Sequence, residues 1–395
     1  MKAVDRGVTN PPILSLTGAR FFACLFVVLF HTEYVWLDQT TLIDGPIRNI
    51  MKSGFSGVGF FFILSGFVLG YRYGYRHGGE TTDFPYHRYF LARFARIYPA
   101  LFFSLLVAAP VALAAGLAPG GDLTLGGLGP VESVVITFLG NAAVLSAWFP
   151  KIAYWNYPAW SLACEVFFYA LFPALVVVVW KGGRRTAWVS CAGLVVACAL
   201  LLDRALAAGI PIETISVFPP FRFLQFGIGV VLARAFLLSK RASSSALALV
   251  PMLVLLVVFA LSDRFSRDYL HTGWIDIASL LTIYFLAQRG SFLTRLLSHP
   301  WLLLLGESSY SLYLLHVPLR DTTRAIVNRV DVLQQLPQEL IFVAFLLLSV
   351  LASVLTFKYV EAPARRWINA RGRADAAPPP APREASRTSA VAESS

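Results

Sequence analysis

Ten long apolar runs constrain the fold of this chain more than any other feature of its sequence. Each run has about 20 residues, the length that a helix needs to cross the hydrocarbon core of a bilayer. Charged residues make up only 14% of the chain, whereas they make up about 25% of a typical soluble domain. The sequence therefore predicts an all-α fold, a polytopic membrane helix bundle with about ten transmembrane helices. The predicted spans are residues 13–36, 53–72, 97–118, 159–180, 186–206, 217–238, 246–262, 273–288, 301–319 and 338–359.

A further apolar run, residues 131–148, is shorter and contains Gly140 and Asn141, so it is either an eleventh span or a half-helix. Basic residues decide between the two, because cytoplasmic loops of membrane proteins carry an excess of lysine and arginine. If the N-terminus is cytoplasmic and this run does not cross, the inner segments hold 19 basic residues as far as Arg373, and the outer loops hold nine. We therefore predict ten spans in the cell membrane, with both termini in the cytoplasm.

Charge and cysteine content exclude several other classes of protein. The net charge of +11 suggests a nucleic-acid partner, but the basic residues form short clusters between apolar runs, as topology signals do. The four cysteines all fall inside apolar runs, and no Cys/His spacing is typical of a metal site. We expect neither a nucleic-acid partner nor a metal. Residues 1–12 are interpreted as a cytoplasmic N-terminus, and residues 372–395, rich in Pro, Ala and Ser, as a disordered cytoplasmic tail.

The stretch ARFFACLFVVLFHTEY, residues 19–34, places Arg20 and His31 inside the first predicted span. Ionisable groups in a spanning helix are costly and are candidates for function. At about 100° per residue, the separation of eleven residues brings both side chains to one face, about 16 Å apart along the helix axis. Such a face is typical of the wall of a polar channel. The alternative is that His31 packs at an interface and that Arg20 anchors the helix by reaching the bilayer surface.

A second polar cluster, FLARFARIYP at residues 90–99, precedes the third span. Arg93 and Arg96 are three residues apart, so they project from one face if the helix has already begun. Two guanidinium groups on the predicted cytoplasmic side form a forked receptor suited to phosphate. The alternative is ordinary anchoring by cytoplasmic charges. Pro99 fits the first turn of the following helix.

The stretch YPAWSLACEVFFYALFP, residues 157–173, carries a carboxylate into the fourth span. Glu165 lies about two turns from the predicted outer side, at a depth comparable with that of His31. A buried carboxylate needs a partner, and one suitable partner is an imidazole whose cationic form it orients and stabilises. Alternatively, Glu165 forms a structural ion pair with an arginine such as Arg222.

The stretch GESSYSLYLLHVPL, residues 306–319, places Tyr310, Tyr313 and His316 at three-residue intervals on the ninth span. Such a polar stripe either bonds neighbouring helices together or binds a substrate, and the stripe by itself favours the first interpretation. As candidate substrate-binding residues we take these three together with Trp160 and Tyr169.

These motifs together resemble the acyltransferase-3 family of integral membrane acyltransferases, of the stand-alone type without an esterase-like periplasmic domain. The resemblance covers residues 13–367, which we interpret as a membrane acyltransferase domain. Two positions depart from the family pattern, because Gly59 replaces an acidic residue and Val166 replaces a second glutamate. The resemblance rests on six motifs in order: Arg20 with ten residues before His31, FFFILSGFVLG at 60–70, the Arg93–Arg96 pair, WSLACEVFFY at 160–169, GESSYSLYLLHVPL, and YVEAPARR at 359–366.

The resemblance implies an enzyme that transfers an acyl group, commonly acetyl, from acyl-CoA to a hydroxyl group of an acceptor. His31 matches the essential histidine of the family, and Arg20, Arg93 and Arg96 match positions implicated in catalysis or acyl-CoA handling. We therefore expect the arginines to bind CoA from the cytoplasm. His31 would act as general base on the acceptor hydroxyl, and Glu165 would orient it. Direct attack is preferred to an acyl-enzyme on His31 or a serine.

The acceptor expected first is a sugar of a surface glycan or of a lipid-linked precursor, and the alternative is a macrolide or another secondary metabolite. An aromatic outer segment around Trp148, Tyr154 and Trp155 suits either acceptor, and it equally suits an interfacial belt. Two functions of other classes stay open. A transporter also places Arg, His and Glu inside a helix bundle, and a sensor or scaffold would consume no CoA.

Overall fold

The computed structural model describes residues 10–37, 43–74, 84–118, 123, 125, 127–239, 244–265, 273–288 and 290–374. Within these residues the chain is helical and contains no β-strand. The predicted all-α fold is therefore confirmed. Residues 1–9 and 375–395, which make up most of the predicted N-terminus and tail, lie outside the described residues. Residues 372–374 are helical, although the sequence predicted that the disordered tail begins at residue 372.

Sixteen α-helices follow one another along the described part of the chain. A 3-10 turn, Ser53–Ser56, joins the second to the third, and π-helical turns at Gly70–Gly74 and Phe357–Glu361 follow the third and the fifteenth. The helices are α1 (Leu14–Trp36), α2 (Pro46–Lys52), α3 (Gly57–Leu69), α4 (Tyr86–Gly116), α5 (Pro130–Ala142), α6 (Trp160–Trp180), α7 (Arg184–Ala207), α8 (Ile212–Val217), α9 (Pro219–Leu237), α10 (Leu249–Ala260), α11 (Gly273–Leu286), α12 (Phe292–Leu297), α13 (Pro300–Val327), α14 (Asp331–Gln334), α15 (Gln338–Thr356) and α16 (Ala362–Ala374).

Seven helical segments of the described chain are long and apolar enough to cross a membrane. Turns between successive helices make two of these segments continuous, through Pro46–Gly74 and Gln338–Gly372. Two shorter apolar segments, Ser245–Ala260 and Trp274–Leu286, and the long, more polar α13 correspond to the remaining predicted spans. The architecture is therefore that of a polytopic helix bundle, consistent with about ten membrane helices.

The third spanning helix begins earlier than the sequence predicted. α4 starts at Tyr86 rather than near residue 97, so the Arg93–Arg96 pair lies inside the helix and Pro99 lies in its interior. The hydroxyl of Tyr89 donates to the carbonyl of Tyr169 (3.1 Å), and its ring stacks on that of Phe172, which secures these early turns to α6. Hydropathy missed the start because the early turns carry polar side chains. A proline is tolerated inside a membrane helix when neighbouring groups compensate for its missing hydrogen bond.

Glycines allow the helices that carry the site to approach closely. Gly306 of α13 lies against the main chain of α1, where a Cβ atom would overlap the carbonyl oxygen of Thr17. Gly229 of α9 lies in the same way against the carbonyl oxygen of Ile63 in α3. Small residues permit such contacts between membrane helices. The two approaches pair α1 with α13 and α3 with α9, and each of these helices contributes a residue to the cavities described below.

The shorter apolar run that was predicted not to cross contains α5. Its 13 residues extend about 20 Å at 1.5 Å per residue, less than the roughly 30 Å of a hydrocarbon core. In the last turn of the helix the side chain of Asn141 donates to the carbonyl of Ile152, and beyond it Val144 adopts a left-handed conformation (φ 59°). This length agrees with a half-helix, and the placement of α5 relative to a bilayer stays a prediction.

Candidate active site

A cavity lies among α1, α3, α4, α6 and α13, and we call it the inner cavity. It has an empty volume of about 990 Å³. Among the described residues, four arginines line it but only one carboxylate, so the balance of charge favours an anionic ligand. The charged lining residues are Arg20, Arg72, Arg93, Arg96 and Glu165.

Tyrosine rings hold the guanidinium groups of Arg93 and Arg96. The Cζ atom of Arg93 lies 5.5 Å from the ring centroid of Tyr169, and that of Arg96 lies 5.4 Å from the ring centroid of Tyr310. Neither arginine forms a salt bridge within the described residues, and the buried Nε atom of Arg93 has no hydrogen-bond partner there. Contact with a ring face orients a guanidinium group without using its N–H donors. These donors are therefore available to a ligand.

Glu165 lines the inner cavity rather than the cavity that contains His31. Its Oε2 atom accepts a hydrogen bond from the hydroxyl of Tyr169 (2.8 Å), and its carboxylate is within electrostatic range of Arg20 and Arg96. The sequence predicted that Glu165 orients His31, but the structure places the two side chains in different cavities. A similar depth in the membrane does not establish contact between two residues, because the rotation of α6 decides which cavity the carboxylate of Glu165 faces.

The inner cavity continues toward the N-terminal end of α1. A neighbouring cavity, with an empty volume of about 920 Å³, shares Arg20 and Arg72 with it and extends to Asn10. The N-terminal end of α1 is the end predicted to face the cytoplasm. A soluble anionic ligand would therefore meet two arginines on its way into the inner cavity.

His31 lies in a second cavity, which we call the outer cavity and which has an empty volume of about 630 Å³. Val58 and Tyr313 line both the inner and the outer cavity, so the two cavities adjoin at these residues. The space beside Arg20 and the space beside His31 are therefore neighbours, as a polar channel along α1 requires. Further residues that line the outer cavity are Tyr157, Trp160, Glu213, Ser216 and Arg222.

His31 and His316 form a hydrogen-bonded pair. Nδ1 of His31 lies 3.0 Å from the carbonyl oxygen of Val27, and Nδ1 of His316 lies 3.3 Å from that of Leu312. Because a carbonyl oxygen only accepts, we assign the proton of each neutral imidazole to Nδ1. Nε2 of His316, 3.2 Å from Nδ1 of His31, then accepts from that same N–H. Nε2 of His31 keeps its lone pair and is the atom that can accept a proton from a bound substrate.

Arg320 of α13 forms a hydrogen bond to the main chain of α1 at the histidine pair. Its Nη1 donates to the carbonyl of His31 (2.9 Å) and to the hydroxyl of Tyr34 (2.7 Å), and its Nη2 forms a salt bridge with Asp321 (2.7 Å). The sequence predicted that Arg320 lies in an outer loop. Its role at the histidine pair was not predicted, because α13 continues past the predicted end of the span to Val327.

The remaining predicted site residues divide between the two cavities. Tyr169 and Tyr310 line the inner cavity, Trp160 lines the outer cavity, and Tyr313 lines both. The hydroxyl of Tyr310 donates to a carbonyl of α4 (3.3 Å), and that of Tyr313 donates to the carbonyl of Pro158 (3.2 Å). These two tyrosines therefore bond α13 to its neighbours at the same time as they line the cavities.

A buried carboxylate from the YVEAPARR motif completes the polar interior. Glu361 is 1% exposed and accepts a hydrogen bond from the hydroxyl of Ser311 (2.8 Å). Arg365 lies 3.9 Å from it, and Arg20 and Arg96 are within electrostatic range. Glu361 was not among the predicted site residues. The sequence nevertheless carries a signal for it, because a lone carboxylate at the end of an apolar run is followed by arginines.

The sequence is similar to those of known acyltransferases. The family model of the acyltransferase-3 family, described as an acyltransferase domain, matches residues 13–358. Over 392 residues the chain is 27% identical to acyltransferase MdmB of Streptomyces mycarofaciens, and the match covers 94% of this chain and 96% of that protein.

A second relative is longer than this chain. The sequence is 23% identical to O-acetyltransferase OatA of Staphylococcus aureus, over 89% of this chain and 57% of that protein, so the chain spans a little over half the length of OatA. No solved structure matches the chain. The family model nonetheless covers most of its residues, and the apolar helices are those of a multi-pass membrane protein. The chain therefore belongs to the acyltransferase-3 family and is a membrane acyltransferase.

Proposed function

We propose that this protein is an O-acyltransferase that moves an acyl group, commonly acetyl, from acyl-CoA to a hydroxyl group of a glycan or lipid-linked sugar. His31 is the general base of this reaction. The observation that carries the proposal is the meeting of two unlike cavities at Val58 and Tyr313. One cavity is cationic and the other is lined by His31, so a donor in the first and an acceptor in the second would present their reacting groups at the junction.

The inner cavity supports acyl-CoA as the donor, because CoA is a polyanion whose acyl-bearing arm is uncharged. Arg20 and Arg72 line the extension toward the N-terminal end of α1, and Arg93 and Arg96 keep N–H donors available deeper inside. Charge-assisted hydrogen bonds from such groups to phosphate are among the strongest that proteins make. In this proposal the phosphates stay near the arginines and the thioester lies toward Val58.

The histidine pair supports base catalysis. As the acceptor oxygen bonds to the thioester carbonyl carbon, Nε2 of His31 takes the hydroxyl proton. The C–S bond then breaks, and the departing sulfur takes that proton from His31. His316 stabilises the intervening imidazolium by accepting the N–H of His31, so it has the role that the sequence analysis gave to Glu165. A positioned base typically contributes about 10²–10⁴-fold.

The outer side supports a sugar as the acceptor. The outer cavity shares Tyr157 with a wider cavity, of empty volume about 1100 Å³, that is lined by Tyr154, Trp155 and Lys151. Aromatic faces offer apolar contact, and Lys151 and Glu213 offer hydrogen bonds to sugar hydroxyls. A macrolide or another secondary metabolite is the alternative acceptor, because its apolar ring would pack on the same aromatic faces.

The experiment uses the purified full chain in lipid nanodiscs with acetyl-CoA, and it measures free thiol release together with the mass of the acylated product. Panels of sugars and of macrolides serve as acceptors. We expect acceptor-dependent thiol release from the wild type and none from His31→Ala, which should still bind acetyl-CoA. The exposed His299→Ala is the matched control.

Two outcomes would overturn the proposal. Near-normal turnover in His31→Ala would show that His31 is not the general base. Movement of a labelled substrate across proteoliposomes without thiol release would indicate a transporter instead.

A further inference from the structure

We propose that Arg222 stabilises the negative charge that develops on the acyl carbonyl oxygen, and that Gln225 and Asp276 are positioning residues that aim it. This inference rests on the proposed acyl transfer. It supplies a group that the reaction still needs, because a base alone does nothing for the oxygen that becomes negative when the carbonyl carbon is attacked.

Arg222 is a buried cation that lines the same cavity as the general base. It is 8% exposed and lines the outer cavity with His31. Its Nε donates to the carbonyl of Ser216 (2.6 Å), and its Nη1 donates to Oε1 of Gln225 (2.9 Å). Nη2 has no hydrogen-bond partner among the described residues. It is not among the fully buried polar atoms that lack a partner, so it keeps some accessible surface. Two positions of the guanidinium group are therefore fixed, and the N–H donors of Nη2 remain for a ligand.

A chain of hydrogen bonds continues behind Arg222. Nε2 of Gln225 donates to Oδ1 of Asp276 (2.7 Å), and these two side chains are 5% and 4% exposed. Gly59 leaves room for this bond, because a Cβ atom there would lie 2.9 Å from Nε2 of Gln225 and 3.6 Å from Oδ1 of Asp276. The carboxylate of Asp276 balances the charge of Arg222, and the side chain at position 225 accepts only from Nη1, so Nη2 stays available to a ligand.

The acceptor oxygen forms a bond to the carbonyl carbon, the C=O π pair moves to the oxygen, and Nη2–H of Arg222 donates to that oxyanion. His31 holds the hydroxyl proton meanwhile. When the oxyanion re-forms the carbonyl, the C–S bond breaks, and the sulfur leaves with its electron pair and takes the proton from His31. Arg222 neither gains nor loses a proton.

The first test compares Arg222→Gln and Arg222→Lys with Arg204→Gln, which changes an exposed arginine at the end of α7. Removal of one oxyanion donor costs about 10²–10³-fold in kcat, so we expect Arg222→Gln to lose this much at saturating acetyl-CoA and acceptor. Both KM values should stay within about threefold, because the interaction is made only in the transition state. The kcat of Arg222→Lys should lie between those of the wild type and Arg222→Gln, since an ammonium group keeps the charge but lacks the forked geometry of a guanidinium group.

The second test exchanges the amide and the carboxylate behind Arg222. Gln225→Glu alone sets two carboxylates against each other, and Asp276→Asn alone removes the counter-charge, so each should lower kcat. The double variant Gln225→Glu/Asp276→Asn restores one carboxylate, one amide and the hydrogen bond to Arg222. We expect it to recover kcat to within about threefold of the wild type, a coupling that independent sites do not show. This exchange keeps Arg222, so it decides the proposal even if Arg222→Gln does not fold.

The proposal is overturned if Arg222→Gln is folded and keeps its kcat, or raises only the KM for the acceptor. It is also overturned if the single variants at Gln225 and Asp276 lower the melting temperature but leave kcat unchanged. If the acyl-transfer proposal itself fails, the wild type releases no thiol, so this failure is distinguished from failure of the role of Arg222.

Discussion

Nε2 of His316 lies 3.2 Å from Nδ1 of His31, although 285 residues separate the two histidines in the chain. The close approach of α1 and α13 at Gly306 makes this pair possible, and Arg320 fixes the carbonyl of His31 above it. The pair leaves Nε2 of His31 as the proton acceptor of the outer cavity. It is therefore the feature of the fold on which the proposed chemistry most depends.

Replacing His316 should slow the reaction without abolishing it. His316→Ala removes the acceptor for the Nδ1–H of His31, and we expect kcat to fall by about 10²-fold, the lower end of the range for positioned base catalysis. His316→Gln should retain more activity, because its amide oxygen can accept the same hydrogen bond. Steady-state thiol release measures both, with His299→Ala as the control. Equal activity in His316→Ala and the wild type would contradict the role of the pair.

Replacing Arg93 or Arg96 should weaken acyl-CoA binding. A hydrogen bond to a charged group contributes about 1.5–3 kcal/mol, which corresponds to roughly 10- to 100-fold in affinity. We expect Arg93→Gln and Arg96→Gln to raise the Kd for acetyl-CoA by this factor, as measured by isothermal titration calorimetry in nanodiscs. Arg185→Gln, which changes an exposed arginine at the start of α7, is the matched control. Binding as tight as in the wild type would show that the inner cavity does not hold the CoA phosphates.

Filling the junction between the cavities should separate donor binding from transfer. Val58 is 5% exposed and lines both cavities, so Val58→Trp should obstruct the passage of the acyl group. We expect transfer to fall by more than about tenfold while the Kd for acetyl-CoA stays within about threefold, as for a loss confined to the catalytic step. Val178→Trp, at a valine that is 68% exposed, introduces the same side chain elsewhere. Full activity in Val58→Trp would mean that the acyl group reaches His31 by another route.

Replacing Glu165 tests which cavity this carboxylate serves. Because it lines the inner cavity and bonds Tyr169, Glu165→Gln should change the KM for acetyl-CoA and leave the environment of His31 intact. The rate at which diethyl pyrocarbonate modifies His31, followed by mass spectrometry, should then match that of the wild type. Glu213→Gln, a carboxylate of the outer cavity, provides the comparison. Slower modification in Glu165→Gln would restore Glu165 as the residue that orients His31.

Adding one methyl group between α1 and α13 should destabilise the bundle. The new Cβ atom of Gly306→Ala would overlap the carbonyl oxygen of Thr17, and overpacking of this kind costs about 1–3 kcal/mol. Gly193→Ala in α7 meets no atom within 4 Å, so it should be neutral or slightly stabilising through helix propensity. Thermal unfolding in detergent compares the two variants. A melting temperature unchanged in Gly306→Ala would contradict the close approach.

Much of the architecture follows from local sequence. Long apolar runs predict membrane helices because each helix satisfies its own backbone hydrogen bonds, so its existence depends on its own residues. The same reasoning places Arg20 and His31 on one face of α1, and both line the adjoining cavities. It failed at the start of α4 and the end of α13, where polar side chains interrupt the hydropathy signal.

Contacts between helices could not be predicted from hydropathy and helical periodicity. Sequence gives the depth of Glu165 but not the rotation of α6, and that rotation turns the carboxylate toward the arginines. Sequence also shows glycine at position 59, where the related family carries an acid, but it does not show that Asp276 of α11 lies beside that glycine. Helical periodicity orders side chains around one axis only, whereas the crossing of helices brings His316 to His31 and Asp276 to Gln225. These partners come from distant parts of the chain, so tertiary packing alone selects them.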